Sequence, residues 1–205
     1  MTYTPPTAKQ QFVGDLCIPK KQKRTIILLV HGGGGVMGSK EWIKVWAETG
    51  YATFNVNYRL IGNNETAPVF PQPVHNVKSA LQYLRKEAKQ LGIDPDQIVL
   101  QGSSAGATLI AQVLVSANDP YYQGNELWQN IFDRPNGVID FYGYYAGLTR
   151  RSDSYFGGQL NSSDPAVQQR IAKANAILNA NLASAPIIMF HGTTIVSSIK
   201  KTTKA

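Results

Sequence analysis

A serine framed by glycines is the sharpest chemical signal in this sequence. Residues Gly102–Gly106 read Gly-Ser-Ser-Ala-Gly, a G-x-S-x-G pattern that follows an apolar run and precedes a stretch of small residues. In a strand-to-helix turn of this kind, the glycines permit a tight, strained bend that leaves the hydroxyl of the central serine accessible. The pattern predicts that Ser104 is the nucleophile of an acyl-transfer reaction and that Gly102 and Gly106 shape the turn.

A second glycine cluster follows the first long apolar run. His31 is followed directly by the glycines of Gly32–Gly35. The tetrahedral intermediate of acyl transfer carries an oxyanion, and glycines let backbone N–H groups approach it without side chains in the way. We expect the oxyanion to be bound by three backbone amides, those of Gly33, Gly34 and Ala105. We expect His31 and Gly32 to shape the loop.

The same loop allows a second interpretation, because residues 33–38 match the dinucleotide pattern G-x-G-x-x-G. A nicotinamide site of that type needs Asp or Glu about 20 residues further on. The sequence has Asn55, Asn57 and Arg59 there. Arg59 could bind a 2′-phosphate, so an NADP site remains an alternative. A phosphate loop is excluded, since residues 38–40 read Gly-Ser-Lys where Gly-Lys-Ser/Thr is required.

Apolar runs and helical periodicity alternate along the chain. The predicted strands are Thr25–Val30, Tyr51–Tyr58, Gln97–Gln101, Gly137–Tyr142 and Pro186–Phe190. The predicted helices are Glu41–Glu48, Val74 to Gly92, Ala105–Ala117, and one capped by Asp164 with Val167, Ile171, Ala174 and Leu178 on one face. This alternation predicts an α/β fold with a mostly parallel sheet and helices on both faces. Ligands of such sheets bind at the carboxyl ends of the strands, where both glycine motifs lie.

Several motifs in order resemble one family of enzymes. They are His31 with its glycines, Asn57–Leu60, Phe70-Pro71 and the G-x-S-A-G around Ser104. From about residue 13 to about residue 196, the chain resembles the hormone-sensitive-lipase-like and bacterial feruloyl-esterase-like esterases and lipases of the α/β-hydrolase fold. The resemblance implies hydrolysis of carboxylic esters by Ser104, a glycine loop that forms half of the oxyanion hole, and neither a cofactor nor a metal.

The residues that should activate the serine are missing from the expected places. A serine needs a histidine base, and that histidine needs a carboxylate; in this fold the chain order is Ser, acid, His. The resemblance places the acid shortly after His191, where the sequence reads Gly-Thr-Thr-Ile-Val-Ser. No Asp or Glu follows Asp164, and no His follows His191. We therefore expect a chain that ends before the last strand and helix of the fold, with impaired catalysis and His191 as the candidate for an improvised base.

Composition limits the remaining function classes. The 205 residues, 43% of them hydrophobic, predict a single domain over residues 1–205. The net charge of +7 comes largely from Lys20–Arg24 and the C-terminal lysines, without interleaved aromatic residues, so nucleic acid is not an expected partner. No apolar run is long enough to span a membrane, and the polar N-terminus favours a cytoplasmic location. We expect a small-molecule ester as partner; the alternative is a non-catalytic α/β-hydrolase-like protein that binds a ligand or a partner.

Overall fold

The computed structural model describes residues 1–40, 44–62, 65–145, 152–181 and 185–192. Within these ranges the strands form one sheet in the order β1-β3-β2-β4-β5-β6. The strands are β1 (Gly14–Cys17), β2 (Lys23–Val30), β3 (Tyr51–Val56), β4 (Ile98–Ser103), β5 (Gly137–Phe141) and β6 (Ile187–Phe190). The helices are α1 (Lys44–Glu48), α2 (Gln72–Lys86), α3 (Ala88–Leu91), α4 (Ala105–Val115), α5 (Ser152–Tyr155), α6 (Pro165–Ala174) and α7 (Ala176–Asn179).

The sheet is mostly parallel, as the sequence predicts. β2 pairs in parallel with both β3 and β4, and β4, β5 and β6 continue the parallel order. β1 is the exception, because it runs antiparallel to β3 with Gly14 opposite Val56. This strand is not predicted from the sequence, since Gly14–Cys17 is short and contains Gly and Asp, which are depleted in strands.

The core lies where the central strands meet α2 and α4. Residues Ile26–Val30 of β2 are all at most 4% exposed, as expected for a strand that is covered on both faces. Helix α2 buries Val74, Val77, Leu81 and Leu84 against this core, which confirms the predicted periodicity. α4 is buried along almost its whole length.

The helix predicted after Asp164 is interrupted. The Asp164 side chain accepts the Ala166 N–H at 2.8 Å, which confirms the cap. At Asn175, however, the backbone leaves the helical conformation (φ −88°, ψ 103°), and its side chain caps α7 instead. Leu178 is consequently 70% exposed, so its placement on the apolar face was wrong.

Some predictions fall outside the described residues. They are the beginning of the helix at residues 41–43 and the expected loss of a final strand and helix, which concerns residues 193–205. The assignment of residues 1–205 to a single domain stays a prediction. In the part of the chain that the structure describes, no helix combines the length and the apolar character that a membrane crossing requires.

Candidate active site

Ser104 occupies a strained turn between β4 and α4. Its backbone has φ 52° and ψ −119°, a conformation that residues other than glycine rarely adopt. The Ser104 N–H donates to the Phe141 carbonyl at 2.9 Å, and the Ser104 carbonyl accepts the Thr108 N–H at 3.0 Å. These bonds hold the strained residue from both sides. The side chain remains half-buried, at the carboxyl edge of the sheet.

The two glycines of the turn lie where no side chain fits. A Cβ on Gly106 would come within 2.5 Å of the His31 carbonyl oxygen and closer still to that of Val30. A Cβ on Gly102 would lie 2.5 Å from the carbonyl carbon of Gly106. The first turn of α4 therefore packs directly on the end of β2, and this contact fixes the position of Ser104 relative to the loop that follows β2.

That loop brings the glycine cluster next to the serine. A Cβ on Gly32 would lie 3.4 Å from the Ser104 Cβ. Gly33 and Gly34 then turn the chain with φ of 106° and 65°, in the left-handed region that favours glycine. The Gly33 carbonyl accepts the N–H groups of Val36 and Met37, both at 3.2 Å, which closes the loop. The structure thus brings the loop of the first motif next to the serine of the second, with Gly32 as the point of contact.

His31 contacts the loop and a neighbouring tyrosine. Its Nδ1 lies 2.8 Å from the Gly32 carbonyl oxygen, and its ring stacks on Tyr58 with 4.4 Å between centroids. The Tyr58 hydroxyl donates to the His31 carbonyl at 2.9 Å. The Arg59 N–H next to it donates to the buried Asn76 side chain at 2.9 Å. This network ties the Asn57–Leu60 segment to the glycine loop.

Arg59, the residue on which the NADP alternative depends, is already paired. Its guanidinium donates to the Glu65 carboxylate. This hydrogen bond, together with one from the Gly62 N–H, lowers the pKa of Glu65. The Asn57 side chain accepts the Lys40 N–H at 2.7 Å. Arg59 and Asn57 therefore serve local loop structure.

The β5–β6 end of the sheet, where the acid and the base are expected, has an exposed histidine and a buried carboxylate. His191 is exposed directly after β6. Asp140 of β5 is fully buried, and its carboxylate accepts the Gly143 N–H at 3.0 Å. Burial raises the pKa of Asp140, although hydrogen bonds from Gly143 and Tyr145 and the charge of His191 oppose the rise. The sequence analysis missed Asp140; the signal is a carboxylate inside an otherwise apolar strand.

No hydrogen bond from the Ser104 hydroxyl occurs within residues 1–40, 44–62, 65–145, 152–181 and 185–192. The same ranges contain no group of three or more His, Cys, Asp or Glu side chains that could hold a metal ion. The triad acid that the resemblance implies would follow Gly192, and those positions lie outside the described residues.

A small pocket, partly open to solvent, lies beside the serine turn. Its lining includes Gly35 of the glycine loop, Ala105, Thr108 and Gln112 of α4, and Tyr155 of α5. The sequence analysis described α4 as a helix of small residues and singled out neither Gln112 nor Tyr155. An amide two turns after the serine, in a helix that is otherwise mostly small and apolar, was the available signal.

Comparisons with known proteins agree on one family and one fold. The model of a protein family described as BD-FAE matches residues 15–198. The probable carboxylic ester hydrolase LipM of Mycobacterium tuberculosis is 27% identical over 180 residues, which cover 82% of this chain and 40% of LipM. Lipase 2 of a Moraxella species is 33% identical over 116 residues, 52% of this chain and 25% of the lipase. The chain thus spans well under half the length of these relatives.

Among solved structures, a thermophilic esterase from Thermogutta terrifontis with bound propionate superimposes with a TM-score of 0.72. The match covers 94% of this chain and 72% of that one, at 22% sequence identity. This likeness shows that the fold described above is the α/β-hydrolase fold.

Proposed function

The chain belongs to the BD-FAE family, and on that premise we propose that it is a serine esterase in which Ser104 attacks the acyl carbon of a small carboxylic ester. One observation carries this proposal: the strained Ser104 turn lies directly against the glycine loop, with the Ser104 Cβ 3.4 Å from where a Gly32 Cβ would be. A non-glycine residue is held in such a conformation only when its surroundings over-determine it, and this is common at active sites.

The proposed reaction has two steps. The Ser104 oxygen bonds to the acyl carbon and gives its proton to solvent water or to a substitute base, while the carbonyl π electrons move to the carbonyl oxygen and form an oxyanion. This charge is stabilised by the amides of Gly33, Gly34 and Ala105, the last of which opens α4, where the helix dipole favours negative charge. The intermediate expels the alcohol, which takes up a proton. Water then attacks the acyl-serine and releases the acid, which restores the hydroxyl.

Proton removal from Ser104 is the weak step of this mechanism. Within these 205 residues there is neither a carboxylate after Asp164 nor a histidine after His191, so the proposed mechanism has no recognisable acid and base among them. In a serine protease, loss of a triad member leaves about 10³ to 10⁴-fold catalysis over water, which comes from binding and the oxyanion hole. We therefore propose slow rather than absent turnover, with His191 as the residue to test for a substitute base.

The experiment measures hydrolysis of p-nitrophenyl acetate and labelling by a fluorophosphonate, with the labelled residue located by mass spectrometry. We expect slow labelling at Ser104 that Ser104→Ala abolishes, and weak turnover of which the part due to binding and the oxyanion hole persists in Ser104→Ala. The adjacent Ser103→Ala is the matched control and should label like the parent chain.

Labelling at another residue, or none at all, would contradict Ser104 as nucleophile. Fast turnover that Ser104→Ala abolishes would show that a base is present, and His191→Ala would then identify it. Binding of an ester analogue with neither turnover nor labelling would favour the alternative function, a non-catalytic ligand-binding protein.

A further inference from the structure

Two residues that line the pocket beside Ser104 each carry a buried polar atom without a partner among the described residues. The Gln112 side chain is 1% exposed and Tyr155 is 5% exposed, and both residues line this pocket. Among the described residues, neither the Gln112 Oε1 nor the Tyr155 hydroxyl has a hydrogen-bond partner. Since buried polar groups in proteins are nearly always paired, two such side chains at one pocket point to a polar group that binds there.

Neighbouring contacts hold both side chains in place. The Gln112 Nε2 donates to the Ala174 carbonyl at 2.7 Å, and this bond identifies Oε1 as the amide atom left over. The Tyr155 carbonyl accepts the N–H groups of Val69 and Phe70 at 3.0 and 3.1 Å. Its ring packs edge-on against Phe70, with 5.5 Å between centroids. The two atoms are therefore fixed features of the pocket.

The chemistry of the two atoms selects the ligand group. Burial raises the pKa of Tyr155 well above its ordinary value, so its side chain is a neutral hydroxyl that can donate. The amide oxygen of Gln112 can only accept. An alcohol hydroxyl satisfies both, because it accepts from Tyr155 and donates to Gln112. A carbonyl group could accept from Tyr155 but has no donor for the Gln112 oxygen. A carboxylate also lacks a donor, and its charge would lose hydration while it faced another acceptor.

The position of the pocket connects this group to the reaction. Ala105, Thr108, Leu109 and Gln112 line it and recur at helical spacing, so they share one face of α4. The face begins beside Ser104 and reaches Gln112 seven residues later, about 10 Å along the helix. An acyl chain bound to Ser104 can follow this face towards Gln112.

We propose that the Gln112–Tyr155 pair binds a hydroxyl on the acyl chain, which makes hydroxyacyl esters the substrate class that this pocket selects. The inference rests on the proposed function, because the acyl chain is placed by its attachment to Ser104. Gln112 and Tyr155 are then residues that determine specificity, and they take no part in the bond-breaking step.

The test is calorimetric binding of product acids to the full chain, which needs no turnover. The probes are two matched pairs, butyrate with 4-hydroxybutyrate and hexanoate with 6-hydroxyhexanoate, chosen to bracket the distance along α4. We expect at least one hydroxy acid to bind about tenfold more tightly than its plain counterpart, the gain of one to two net hydrogen bonds. In Tyr155→Phe, which loses no protein hydrogen bond, this ratio should fall to about one.

Tyr83→Phe is the control, since the Tyr83 hydroxyl lies outside the pocket and donates to the Met1 sulfur at 3.4 Å; it should keep the preference. Equal affinities within both pairs, no binding of any probe, or a preference that survives Tyr155→Phe would each overturn the inference. A preference without ester hydrolysis or serine labelling would leave the pocket assignment standing and contradict only the esterase proposal. Ester hydrolysis without a preference for hydroxy acids would support the esterase proposal and contradict the pocket assignment.

Discussion

The centre of the sheet and its β6 edge differ sharply in how they are packed. In β2, Ile26–Val30 are at most 4% exposed, and α4 packs so tightly on the end of this strand that Gly106 leaves no room for a Cβ. In β6, Ile188, Met189 and Phe190 are 60%, 57% and 51% exposed. One region is covered on both faces, while the other presents apolar side chains to solvent.

This difference separates two requirements of serine chemistry. In the proposed reaction, presentation of the serine depends on the packed region, where backbone contacts from β2, β5 and α4 hold Ser104 in its strained conformation. Proton transfer in the proposed reaction needs an acid and a base, which in this fold come after the serine in the chain order Ser, acid, His; the resemblance places the acid shortly after His191. Presentation of the serine can therefore be intact in a chain in which proton transfer is impaired.

The largest expected effect comes from a Gly→Ala substitution in the packed centre, compared with the same substitution on β5, the strand next to the β6 edge. Gly106→Ala drives a Cβ into the backbone of β2, so we expect a loss of about 4 kcal/mol or more in the free energy of unfolding. Gly137→Ala, at the start of β5, meets its nearest atoms at 3.8 Å. It should change stability by about 0.5 kcal/mol at most. Urea unfolding of both variants measures the difference, and a similar loss in both would contradict it.

A pair of isoleucines makes the same comparison through side-chain burial. Ile98 of β4 is fully buried, whereas Ile188 of β6 is 60% exposed. Ile98→Ala should lower the free energy of unfolding by about 3 kcal/mol, because it removes buried methyl groups and leaves a cavity. Ile188→Ala should stay within about 0.5 kcal/mol. If Ile188→Ala destabilised as strongly as Ile98→Ala in urea unfolding, the β6 edge would have to be covered in solution.

The smallest expected effect is a pH dependence that originates in the packed region. Burial lowers the pKa of His75 on α2 from 6.5 to about 4, and the charge of Lys78 contributes while Glu126 opposes the shift. His75 is therefore protonated near pH 6.5 in the unfolded chain but only near pH 4 in the folded chain. As the pH falls through this window, the free energy of unfolding should drop by about 3 kcal/mol at most.

His75→Gln isolates this contribution from that of the carboxylates, which also titrate in acid. Unfolding free energies of the parent chain and the variant, measured by urea at pH 7 and pH 4.5, give the difference between their pH dependences. A variant that loses stability as steeply as the parent chain over this range would show that His75 stays solvated.

The sequence predicts the central sheet and the two glycine motifs well, because both are local signals. Continuous apolar runs predict β2 and β4. The glycines around Ser104 indicate a turn in which the backbone leaves no room for side chains. The break at Asn175 was missed because helical periodicity continues across it. The sequence could not show that Gln112 and Tyr155 line the same pocket, since they lie on helices far apart in the chain that tertiary packing brings together.

The strand order has a consequence for how the chain folds during its synthesis. From β2 outwards, the strands follow each other in chain order as β2, β4, β5 and β6. A nascent chain that leaves the ribosome therefore completes the β2–β3–β4 centre first, and each later strand finds its parallel neighbour already in place. Parallel pairing is slow when it must close long loops between unformed partners. Here the growing sheet serves as a template, and β6 is added to a β5 that is already in place.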